Sequence, residues 1–334
     1  MFIPHFRVFN LSQQKWQKLA FPLSVKLVSY PQSWGKILRR IFLGQMIGKV
    51  WGMMTKSSVL SWALIYTGIC QLIFPFLKPQ KFHTNLNQVF AHRHPRFCAY
   101  SALPHEWRDG ALVSPNDAYL HEREVQAGKI ALYPGLTIDL TKVHSTWDLK
   151  EMEGAKVLWF TLKPFHDHTN DYALSSYLLS PPQNYAQTKI ETDSTDPYFM
   201  RILKVKVLET NQRVVSSLFS PYYQAPYWFI ELGANMVNSI VQDKAEIQRE
   251  YPAGTQKSHF NFGSTTILIL SPKIVAQMYF MPYLEEKARG DNLCELERGD
   301  LLAIPKTNFS LNLNLRINAN WTYHCGTKKY QKTS

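Results

Sequence analysis

The stretch HFNFGSTTILIL, residues 259–270, places Gly263 and Ser264 inside what otherwise reads as one strand. Glycine weakens a strand and often marks a bulge or a close backbone approach. A Gly-Ser-Thr bulge in a core strand is the structural account of the pattern. The chemistry open to the serine is nucleophilic, and a hydroxyl attacks poorly unless a neighbouring base takes its proton. His166, His168 and Asp171 fall within HDHTND, and His259 lies on the same predicted strand as Ser264. In an extended chain His166 and His168 share a face, with Asp167 on the other. As a bare pattern, HDHTND reads equally as a polar surface turn. It also contains metal-ligating residue types, but no further ligand is identifiable, so no metal site is expected. Asp117 follows Pro115 in SPND, where an Asx turn is the local structural account.

These residues need elements to hold them. From residue 111 onward, short apolar runs such as KIALY, AKVLWFTL, YWFIEL and STTILIL alternate with Pro, Gly, Asn and Asp turns. That texture predicts an antiparallel β-rich domain over 111–334. Long loops are expected at 180–197 and 242–258. Residues 81–110 read as a connecting segment and residues 1–80 as helical. The expected fold class is α+β: N-terminal membrane-associated helices, then a mainly antiparallel β domain. With 334 residues, 45% of them hydrophobic, the chain can bury a substantial core.

The net charge of +12 is unevenly placed. Residues 1–105 hold 13 Lys and Arg and no acid, which leaves 24 basic against 25 acidic residues in the remainder. Such asymmetry points to an anionic surface, membrane or nucleic acid. The surrounding apolarity favours membrane and argues against nucleic acid. KILRRIFLGQMIGKVWGMM (36–54) resembles a basic amphipathic helix lying in the interface. Residues 57–77 form 21 uncharged residues, long enough to cross a bilayer but interrupted by Ser61, Thr67, Gly68, Gln71 and Pro75. An acid-free basic N-terminus also fits an organellar transit sequence. The four cysteines, Cys70, Cys98, Cys294 and Cys325, show no paired spacing, so no disulfide or metal framework is expected.

Four segments in order carry a family likeness. LVSPNDAYL (112–120) looks like V-S-P-A-D-G. FTLKPFHDHTND (160–171) looks like L-x-P-x-D-Y-H-R-x-H. NQRVV (211–215) followed by ELGANMVNSI (231–240) looks like N-E-R-V followed by V-G-A-T-x-V-G-S-I. HFNFGSTTILILSPK (259–273) looks like F-x-x-G-S-T-V-x-x-x-F. Together they resemble the phosphatidylserine decarboxylase family over about residues 84–275, with the N-terminal helices in the place of its membrane-associated helices.

The resemblance implies a proenzyme that cleaves itself between Gly263 and Ser264. Ser264 Oγ would attack the Gly263 carbonyl, and former Ser264 would become a pyruvoyl group, the cofactor. That carbonyl would form a Schiff base with the substrate amine and draw electrons from the breaking carboxylate bond. Asp117 matches the aspartate of the family's Ser-His-Asp processing site. His168 matches the first family histidine, which handles substrate. Asp171 stands where the second histidine activates the serine, and a carboxylate there is a weaker base. His166 and His259 are secondary candidates for that task. Gly233 and Ala234 keep the family's close backbone approach, while Asn238 replaces its next glycine.

The implied function is decarboxylation of phosphatidylserine to phosphatidylethanolamine. The expected partners are the phosphatidylserine substrate, an anionic membrane surface and the two fragments of the chain, which stay associated; a homodimer is left open. The implied location is a bacterial or mitochondrial inner membrane. The alternative is a processing-defective relative that binds anionic phospholipid without turnover. A third is a decarboxylase for another amine-bearing acid.

Overall fold

The apolar runs of the sequence become strands in a computed structural model, which describes residues 7–10, 15–18, 53, 57, 103, 105–163, 168–186, 188, 193–234, 240–261, 265–288, 292–306, 321–324 and 329–332. Lys156–Leu162 and Thr265–Leu270 pair antiparallel within a twelve-stranded sheet. These strands are apolar almost throughout because both of their faces are covered. Leu158, Phe160, Leu268 and Phe229 join the core on one face, and Val157, Trp159, Ile267 and Ile269 join the core on the other.

Beyond Thr265–Leu270 lies the hairpin of Ala225–Leu232 and Arg213–Ser220. Beyond Lys156–Leu162 lie Ala118–Gln126 and then Leu293–Leu296. A second, smaller sheet joins Thr169–Asp171, Gln256–Phe260 and Ile240–Gln242. A third joins Leu112–Val113, Leu301–Pro305 and Met278–Phe280. The expected antiparallel β domain is therefore present, with a few short helices such as Pro197–Leu203 and Pro282–Lys287. The expected loops are less open than their composition suggests. Gln183–Tyr185 pairs with the Arg213 strand, and Tyr251 bridges to Ser176.

The N-terminal expectation needs correcting where the chain is described. Arg7–Asn10 and Lys15–Lys18 form an antiparallel hairpin, and Arg7–Asn10 pairs in parallel with Leu293–Leu296. An open sheet edge is a template for a further strand. Phe9 becomes core there, edge-on to Trp16 at 5.4 Å between ring centroids. The amphipathic segment 36–54 and the span 57–77 lie outside the described residues, except for Met53 and Ser57. Among the described residues no helix is long and apolar enough to cross a membrane.

The NQRVV and ELGA segments act as a clamp. Arg213 donates from Nε to the Val143 carbonyl at 3.1 Å and from Nη2 to the Lys142 carbonyl at 2.9 Å. Asn211 Nδ2 donates to the carbonyls of Asp193 (2.7 Å) and Gly233 (2.8 Å). Gly233 N–H returns a bond to the Gln212 carbonyl at 2.8 Å. A Cβ at Gly233 would sit 3.1 Å from that carbonyl oxygen, so glycine permits the approach.

Candidate active site

Strand register brings the Asp117 turn and Thr265, the residue after Ser264, to one end of the large sheet. Asp117 immediately precedes the Ala118 strand, and Ala118 pairs with Leu162. On the other side of the Lys156–Leu162 strand, Thr161 pairs with Thr265, the residue after Ser264. The Thr265 strand is thus two strands from the one Asp117 opens, roughly 10 Å at ordinary strand spacing. A direct bond links the two segments: Asn116 Nδ2 donates to Thr266 Oγ1 at 3.0 Å.

Asp117 is 1% exposed. Its carboxylate Oδ1 accepts the backbone N–H of Arg298 at 2.8 Å, across the fold. HDHTND is not a surface turn in its described part. His168, Thr169, Asn170 and Asp171 are all buried. The His168 carbonyl accepts the Phe260 N–H at 2.9 Å, so His168 sits beside the strand that leads to Gly263. The Asp171 N–H donates to the Pro115 carbonyl at 2.9 Å, and its Oδ2 lies 3.7 Å from Arg298 Nε. Arg298 Nη1 also donates to Thr169 Oγ1.

Asp117, Thr169 and Asp171 therefore surround one turn, Glu297–Asp300. Gly263, Ser264 and His166 lie outside the described residues. The chain is described up to Asn261 and from Thr265, with one flank in the small sheet and the other in the large one. His259 is partly exposed, and its Nδ1 is 3.9 Å from Asp243 Oδ1. Burial pushes the His259 imidazole below its ordinary value, opposed by the charges of Asp243 and Glu231.

Behind these residues runs a buried polar network that sequence reading missed. Glu231, 0% exposed, accepts from Lys257 Nζ at 2.7 Å, Gln242 Nε2 at 2.6 Å, Asn170 Nδ2 at 3.2 Å and Ser258 Oγ. Asn170 Oδ1 in turn accepts from Thr266 Oγ1 at 2.7 Å and Asn116 Nδ2 at 2.8 Å. The network ties together four of the segments that carry the family likeness: 112–120, 160–171, 231–240 and 259–273. One signal was available, since Glu231 is a lone acid inside an apolar strand, and a buried charge requires a partner. Nothing local identified that partner as Lys257.

A buried carboxylate, Asp117, and a buried histidine, His168, are groups that can accept and relay protons. Among the described residues no group of three His, Cys, Asp or Glu side chains is placed to hold a metal ion. A sequence model described as phosphatidylserine decarboxylase matches residues 96–286, more than half of the chain. No curated protein matches it.

Proposed function

The chain belongs to the phosphatidylserine decarboxylase family, and we propose that it cuts itself at Gly263–Ser264 and then decarboxylates phosphatidylserine to phosphatidylethanolamine. The observation that carries this is the Asn116–Thr266 bond at 3.0 Å, which joins the Asp117 turn to the strand beginning just after Ser264.

In self-cleavage, Ser264 Oγ adds to the Gly263 carbonyl carbon and the peptide C–N bond breaks, leaving an ester and a free amine. Elimination across the former serine releases Gly263 as a carboxylate. Water then replaces the nitrogen, which leaves as ammonia, so one water is consumed overall. The pyruvoyl group formed supplies a carbonyl that draws electrons from the breaking carboxylate bond. In this reading Asp117 orients and stabilises the protonated partner of Ser264, and His168 moves protons at the substrate. The small fragment would keep Thr265–Leu270 inserted between Ala225–Leu232 and Lys156–Leu162, which supports a complex that stays together after the cut.

Membrane association is part of the same proposal. It rests on the coincidence of basic charge and apolarity in residues 36–77 and on a substrate that resides in the bilayer. One observation favours the alternative of a lipid-binding relative without turnover: Asp171, in the place of the family's second histidine, faces Arg298. Phosphatidylserine vesicles decide between them. The proposal expects carbon dioxide and phosphatidylethanolamine from the unmodified chain and neither from Ser264→Ala. Vesicle binding by both chains with no product from either selects the alternative.

A further inference from the structure

Building on self-cleavage as proposed above, we infer that Arg298 is a positioning residue of the cleavage site, and that Asp171 serves there as its anion and not as the base for Ser264. Arg298 lies outside the matched segment 96–286, in the turn between Leu293–Leu296 and Leu301–Pro305. From this one residue, the backbone N–H holds Asp117 Oδ1 at 2.8 Å, Nε faces Asp171 Oδ2 at 3.7 Å and Nη1 donates to Thr169.

The turn that presents Arg298 is itself fixed. Gly299 N–H donates to the Ser114 carbonyl at 2.9 Å, and Ser114 N–H donates to the Asp300 carbonyl at 2.8 Å. Asp300 Oδ2 accepts the Glu297 N–H at 2.8 Å. Gly299 has φ +82°, a conformation that suits glycine. Arg298 is therefore a strut between the Asp117 turn and the His168–Asp171 segment.

A guanidinium buried this deeply requires an anion, and the family's histidine at 171 would not supply one. Asp171 and Arg298 are thus matched to each other. With its carboxylate facing the guanidinium, Asp171 is turned to a charge partner and not to a hydroxyl proton. Proton acceptance from Ser264 then falls to a histidine of the same segment, His166 or His168.

The test is the rate at which the full chain, newly synthesised in vitro, is cut. Arg298→Met and Asp171→Asn should each slow cleavage on the order of 10- to 100-fold, the size of a geometric misplacement. Their combination should be no slower than the worse single change. Arg298→Lys, which keeps the charge, should recover much of the rate, whereas a packing role alone would let Arg298→Met do as well. Asp171→His should slow cleavage, and adding Arg298→Met should relieve it. Independent, multiplying effects, or faster cleavage by Asp171→His with Arg298 present, would overturn the assignment. If the unmodified chain is never cut, self-cleavage itself fails. The pairing is then judged by thermal denaturation of the same variants, where additive losses reject it.

Discussion

At the scale of residues, the site separates into what local sequence carries and what only the fold supplies. Gly263, Ser264 and Asp117 were singled out by the four segments of family likeness taken together, since each short pattern alone reads as a bulge or a turn. Asp117→Asn should slow cleavage by roughly 100-fold or more, because it removes the charge that orients and stabilises the proton acceptor. Fragment formation measured against time checks this, and an unaltered rate would take Asp117 out of the site. Gly233→Ala should destabilise the chain by about 1–3 kcal/mol, since its Cβ would press on a Gln212 oxygen already held by the Gly233 N–H. Denaturant unfolding measures that loss. Arg298 was not legible. Its bond to Asp117 joins residues 181 apart, and nothing local to ERGD announces it.

At the scale of elements, the strands followed from composition wherever both faces are covered, as in KVLWFTL and TTILIL. The same reasoning missed Arg7–Asn10, because a four-residue strand owes its existence to the Leu293–Leu296 and Lys15–Lys18 strands that pair with it and not to its own pattern. Two strands carry opposite charges into the interior, Glu231 on one and Lys257 on the other. Glu231→Met should cost about 3–5 kcal/mol by leaving Lys257 buried without its anion, and Lys257→Met added to it should restore most of the loss. Equal melting of the single and double variants would contradict that. A third strand holds His121, which is buried against Tyr133 with its Nδ1 3.2 Å from the phenol oxygen. Burial lowers its proton affinity well below the ordinary imidazole value of 6.5, with Arg123 adding to the effect. Below about pH 6.5 the unfolded chain binds a proton that the folded chain refuses, so stability falls as pH falls, by up to about 1.4 kcal/mol per pH unit. Above that pH the contribution is fully present. Denaturant unfolding between pH 5 and 7 should show this slope, and His121→Asn should flatten it.

At the scale of the whole molecule, the N-terminal third contributes to the sheet, and the proposal gives it membrane association as well. Arg7–Asn10 extends the large sheet, so removing all of residues 1–80 would expose the Leu293–Leu296 edge and confuse unfolding with loss of membrane affinity. Changing Lys36, Arg39, Arg40 and Lys49 to Gln leaves that hairpin in place. Each change should weaken binding to anionic vesicles by about 1 kcal/mol, and undiminished cosedimentation would move the anchor elsewhere. The catalytic proposal requires that a single chain become two while its sheet stays whole, because the new terminus begins immediately before a strand flanked on both sides by the larger fragment. The intact mass of the purified protein tests this most directly. The account predicts a fragment of residues 1–263 and a 71-residue fragment lighter by one ammonia than the serine-initiated peptide, with Ser264→Ala remaining whole. A single uncut chain of 334 residues that still binds phosphatidylserine vesicles would contradict it.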